Sequence, residues 1–150
     1  VVEAARGGRA TYHGPGQLVG YPIVDLKLQG RDLRRYVQLL EGALVAALGD
    51  LGVEAEIREG QDVIGVWAGG RKIASIGVHV AAWITTHGFA LNVSCDTEPF
   101  GLFVPCGLTA VEFTTASREA GREIGRAEAA AAVTARLGEA LGVAFEVLPA

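Results

Sequence analysis

The pair Gly69-Gly70 constrains this chain tightly, because it stands between two runs rich in β-branched residues. These are Val63-Ile64-Gly65-Val66-Trp67 and Lys72-Ile73-Ala74-Ser75-Ile76-Gly77-Val78-His79-Val80. Glycine takes positive φ at little steric cost, so Ala68-Gly69-Gly70-Arg71 reads as the turn of a hairpin whose strands are the flanking runs. On the return strand the period of two puts Lys72, Ala74, Ile76, Val78 and Val80 on one face, so a lysine heads an otherwise apolar surface. Two readings of that lysine stand open. Its amine either snorkels out at the strand end, or is held among apolar groups where its pKa falls and it exchanges protons near neutrality. The next strand, Thr85 to Val93, sets Gly88, Ala90 and Asn92 against His87, Phe89 and Leu91. Its small-residue face leaves room for a ligand or for a closely packed helix.

Around this hairpin the other elements follow in order. Leu18 to Leu26 reads as a strand, with Pro22 marking an edge or a bulge. Asp32 offers an N-cap, and Leu33, Tyr36, Val37, Leu40, Leu44, Ala47, Leu48 and Leu51 recur at helical spacing up to a stop at Gly52. Lys27, Arg31, Arg34 and Arg35 near that helix start read as a solvated face rather than as a docking patch for an acidic partner. Val53 to Ile57 is a short strand, Ala127 to Leu141 an Ala-rich helix, Gly142 its stop and Val143 to Val147 a last strand. The sum is an α+β domain with a mixed, mostly antiparallel sheet packed with helices.

The stretch Arg6-Gly7-Gly8-Arg9-Ala10-Thr11-Tyr12-His13-Gly14-Pro15-Gly16-Gln17 is a longer polar loop than an ordinary surface connection. Its glycines let peptide N–H groups approach a ligand, and Pro15 stiffens it. It is not a phosphate-binding loop, since the Gly-Lys-Ser/Thr ending is missing. Cys106 lies between Pro105 and Gly107 at what reads as a strand end, where a lone cysteine is by default a small buried hydrophobe.

At 150 residues, 50% of them hydrophobic, the chain fits one domain, 1–150, able to bury a core. A net charge of −4 argues against broad nucleic-acid affinity. No stretch is apolar enough for a membrane span and no secretory pattern opens the chain, so the expected compartment is the cytoplasm, in keeping with two cysteines and no disulfide framework. His79 and His87 lack a surrounding pattern for a metal site. The chain has no Met and opens on Val1-Val2-Glu3, which leads us to expect a segment N-terminal to it.

Four blocks in order resemble the bacterial lipoyl(octanoyl) transferases: Arg6 to Gln17, Lys72 to Gly77, His87 to Asn92 and Pro105 to Gly107. The resemblance covers nearly the whole chain and loosens only at Leu108 to Phe113. It implies a catalytic fold shared with lipoate and biotin ligases, lacking the family's N-terminal segment. It also implies transfer of an octanoyl group from acyl carrier protein to a lysine of lipoyl domains, those of 2-oxoacid dehydrogenases and the glycine cleavage H protein. By the same resemblance Cys106 carries the acyl thioester and Lys72 activates it. Acyl binding is implied for Arg6, Gly7, Gly8, Arg9, Ala10, Thr11, Tyr12, His13, Ser75, Ile76, Gly77, Gly88, Phe89 and Ala90. No cofactor or metal is expected, because an acyl thioester arrives activated. Cys95 is outside the blocks and is read as structural. An ATP-dependent lipoate ligase and a non-enzymatic acyl-binding domain are the competing readings.

Overall fold

The computed structural model describes residues 12–60, 63–102 and 111–146. Its elements run β1 (Gln17–Gly20), α1 (Leu33–Asp50), β2 (Glu56–Ile57), β3 (Val66–Ala68), β4 (Arg71–Ala81), β5 (Ile84–Asn92), a 3-10 turn (Glu98–Leu102), α2 (Ala116–Ala120) and α3 (Arg126–Leu141). The five strands form one antiparallel sheet in the order β1-β5-β4-β3-β2. Every strand pairing is antiparallel, and the parallel contact of Lys72 with Phe113 is an isolated bridge outside the strands, so the sheet is mostly antiparallel as expected.

Local chemistry explains most boundaries. Asp32 caps α1 by accepting from Arg35 N at 2.9 Å, and Gly52 follows the helix at φ 82°. Gly69 and Gly70, at φ 53° and 83°, make the two-residue turn that pairs Ala68 with Arg71. Positive φ at both centres matches the twist of the strands, which is why a glycine pair serves there. Gly142 ends α3 in the left-handed conformation at φ 68°.

The core lies between one sheet face and the two long helices. Tyr36, Leu40, Leu44, Ala47 and Leu48 of α1, Ala129, Val133 and Leu137 of α3, and Val66, Ile73, Phe89 and Leu91 of the sheet are all buried there. Each large aliphatic side chain so buried stabilises the fold by about 1.5–3 kcal/mol.

Four expected strands are revised. The run from Leu18 to Leu26 pairs only as far as Gly20, since Pro22 has no N–H to donate, and Asp25 returns as an isolated bridge to Ile84. Pairing in the 53–57 stretch is confined to Glu56–Ile57, and in the 63–67 stretch to residues from Val66 on, with Gly65 at φ 129° ahead of it. Residues 143–146 form no strand: Val143 N bonds Gly138 O at 2.9 Å, so the chain folds back on α3. Among the described residues no helix is long and apolar enough to cross a membrane.

Candidate active site

The sheet face turned away from the helices carries the candidate site residues, and a bulge decides which of them stand on it. Val66 opposes Ala74 but Trp67 opposes Lys72, which leaves Ile73 as an extra residue in β4. Ile73 and Ala74 therefore both enter the core. Lys72, directly opposite Trp67, stands on the other face. The expected face of Lys72 with Ala74, Ile76, Val78 and Val80 is thus corrected: one extra residue shifts the phase of the alternation, and the lysine joins Ser75 and Gly77 instead.

Across from these lie Ala90, paired with Ser75, and Gly88, paired with Gly77. Four small residues in two cross-strand pairs make a strip without bulky side chains beginning at Lys72. The strip is bounded at Gly88, where an added Cβ would fall 2.2 Å from Gly20 O and 2.7 Å from Pro22 Cδ. At this end what packs against the small face is the chain at Gly20 and Pro22, and not the helix that was one of its two expected occupants. Ile76 and Phe89 belong to the helix side, Phe89 in the core and Ile76 packed against it, so only their backbone lies along the strip.

Lys72 is 4% exposed. Its Nζ donates to Ile64 O at 2.8 Å and lies 5.5 Å from the Trp67 ring centroid, close enough for a cation–π attraction. Trp67 is itself held by Nε1 donating to Val63 O at 2.9 Å, and the Arg58 guanidinium stands 4.5 Å from its ring. Gly65 makes room for the lysine arm, since a Cβ there would meet Lys72 Cε at 2.9 Å and Ala74 O at 2.4 Å.

Backbone bonds tie Lys72 to the chain that follows residues 103–110. Lys72 N donates to Glu112 O at 2.8 Å, and Thr114 N donates to Lys72 O at 3.0 Å. Glu119 of α2 steadies the same place, accepting from Arg71 Nη2 at 2.9 and 3.1 Å and from the Thr114 hydroxyl. On either side of residues 103–110, Phe100 and Phe113 stack with centroids 4.0 Å apart, and Tyr12 meets Phe100 edge-on at 5.5 Å.

A buried pair of amides, which the sequence reading did not select, joins the remaining pieces. Gln17 Nε2 donates to Asn92 Oδ1 at 2.8 Å, and Asn92 Nδ2 donates to Thr114 O at 3.1 Å. Gln17 Oε1 also accepts from Gly14 N at 3.1 Å and lies 3.3 Å from His13 Nδ1. The loop, β5, the 112–114 segment and β4 thus form one hydrogen-bonded unit. The signal available in sequence was the place of Gln17 and Asn92 at the ends of two of the four blocks.

Of the expected site residues, Lys72, Ser75, Gly77, Gly88 and Ala90 share the strip, Tyr12 lies against Phe100, and His13 is exposed beside Gln17. Arg6, Gly7, Gly8, Arg9, Ala10, Thr11 and Cys106 lie outside the described residues. Cys95 is a free, buried cysteine whose thiol is pushed up by burial, with the Asp96 carboxylate adding to the effect.

An antiparallel sheet with helices on one face and a buried lysine at the head of a small-residue strip on the other defines an α+β domain with a candidate site on the face away from the helices. The chain belongs to the family of the lipoyl protein ligase A/B catalytic domain, whose model matches residues 1–138. The octanoyltransferase of Geobacter sulfurreducens is 55% identical over 134 residues, covering 89% of this chain and 56% of that protein. That of Solibacter usitatus is 59% identical over 104 residues, 69% of this chain and 46% of its own length. The chain thus spans about half the length of these relatives. In fold it is similar to a lipoate-protein ligase A bound with ATP, at a TM-score of 0.74 and 19% identity over 95% of this chain and 59% of that one. It is also similar to the biotin protein ligase of Aquifex aeolicus, at 0.65 and 18% over 85% and 53%.

Proposed function

We propose that the protein containing this chain transfers an octanoyl group from acyl carrier protein to a lysine of lipoyl domains, in the cytoplasm, through a thioester on Cys106. The observation that carries the reading is Lys72: a buried amine whose own peptide is bonded to Glu112 and Thr114, on the chain leading away from Cys106. The names of the similar octanoyltransferases support the same chemistry.

A cysteine thiol is mostly protonated at neutral pH, and its thiolate is the nucleophile. As an ammonium Lys72 favours that thiolate, and as an amine it accepts the thiol proton. Cys106 Sγ attacks the acyl carbonyl, the carrier thiolate leaves and Lys72 returns it a proton. The acceptor ammonium must first give up one proton, to solvent, and the resulting amine attacks the Cys106 thioester; Lys72 takes the second proton as the amide forms and the Cys106 thiolate departs. Backbone N–H groups of Gly107 and of the loop Arg6 to Tyr12 would hold the oxyanion and the acyl carbonyl. Ser75, Gly77 and Ala90 leave the acyl chain space along the strip. Thioester to amide runs downhill, so neither nucleotide nor metal is required.

Intact mass of the full-length protein after mixing with octanoyl acyl carrier protein tests this. The expected octanoyl adduct disappears in Cys106→Ala and persists in Cys95→Ala, whose thiol is buried. Transfer to a lipoyl domain should proceed without ATP or Mg²⁺. Product from free octanoate plus ATP, with none from the thioester, would move the chain to the ligase class.

A further inference from the structure

A single peptide group stands between two buried ionisable side chains. The carbonyl of Ile64 accepts from Lys72 Nζ at 2.8 Å, and the N–H on the other side of that peptide, Gly65 N, donates to Glu41 Oε1 at 2.9 Å. Glu41 lies on α1 between Leu40 and Leu44, both at 0% exposure, and is itself only 5% exposed. A helix packing against a core gains nothing from a carboxylate at such a position unless that carboxylate has a partner. The neighbouring peptides are pinned as well: Val63 O accepts from Trp67 Nε1, and Gly65 holds a φ of 129° that side chains rarely adopt.

We propose that Glu41 is a positioning residue for acyl transfer, acting on Lys72 through the Ile64–Gly65 peptide. This rests on the reading of Lys72 as the proton carrier. By accepting the Gly65 N–H, the carboxylate orients the peptide plane so that the Ile64 carbonyl faces the amine and holds it beside Trp67. An acceptor on the N–H side also polarises the peptide, which strengthens the carbonyl as acceptor on the other. A carboxyl group on the helix side of the sheet thereby sets the place of an amine on the opposite face through the peptide between them.

The chain contains two lysines, Lys72 and the exposed Lys27, so trace acetylation read by peptide mass carries its own internal standard. In the full-length protein, Glu41→Leu removes the acceptor and Glu41→Gln keeps an oxygen for the Gly65 N–H. Glu41→Leu should raise acetylation of Lys72 relative to Lys27 by about tenfold, the effect of one hydrogen bond to a charged group. It should lower kcat for transfer by about 10- to 100-fold, as misplacement of a reacting group does, with KM for the donor unchanged. Glu41→Gln should stay within about threefold of wild type in both measures. A folded Glu41→Leu with wild-type labelling and kcat would overturn the proposal, as would Glu41→Gln damaged about tenfold or more. The Gln variant alone decides if the Leu variant shows no cooperative thermal transition. This labelling response in the variants, with no transfer activity in the wild-type protein, would instead overturn the transfer reading and leave the peptide bridge standing.

Discussion

Lys72 combines burial, a carbonyl partner and an aromatic neighbour, and each restricts what can replace it. Arginine keeps the charge but stays protonated at any working pH, so it cannot carry protons. Lys72→Arg should retain some acylation of Cys106 and lose transfer to the acceptor by about 100-fold or more, the usual contribution of a general acid–base group. Stopped-flow acylation measured beside steady-state transfer checks this, and normal turnover would show that the lysine supplies charge alone. The sequence singles this residue out through its block. Its side of the sheet was not legible there, because a period-of-two reading has no means of seeing the extra residue at Ile73.

At the scale of elements, α1 was the most legible piece. Its apolar spacing, Asp32 cap and Gly52 stop are local signals, and the structure reproduces Leu33–Asp50. Leu44 sits at its centre with no exposure, so Leu44→Ala should cost about 2–5 kcal/mol, the transfer term plus the cavity left behind. Urea unfolding monitored by circular dichroism would measure it, and a loss within a few tenths of a kcal/mol would mean that α1 is not packed as described. The ends of α1 and α3 are further joined by Arg136, whose guanidinium meets both Asp50 oxygens at 2.7 and 2.6 Å. The last expected strand failed for a reason beyond its composition: Val143 and Phe145 suit a strand, but the backbone at Val143 bonds to Gly138 instead of to the sheet.

At the scale of the whole molecule, two buried acids among the described residues contribute to stability on the alkaline side. Burial raises both the Cys95 thiol and the Tyr36 hydroxyl, the latter donating to Pro22 O at 2.9 Å. Their contribution is full below the ordinary values of these groups. Above about pH 8.5 the unfolded chain begins to ionise first, and stability is lost as pH rises through the folded values. Urea midpoints should therefore hold between pH 6 and 8 and fall by pH 10, less steeply in Cys95→Ala; a flat profile would contradict the burial of these groups. The sequence by itself determined the α+β class, the hairpin turn, the capped helix and the order of the four blocks, because each rests on neighbours a few residues apart. Tertiary structure alone decided the bulge that turns Lys72 away from the core, the Gln17 to Asn92 to Thr114 bonds and the Glu41 contact to Gly65. Those bonds span separations of 75, 22 and 24 residues, and a geometry set by the meeting of distant segments leaves no local periodicity to read.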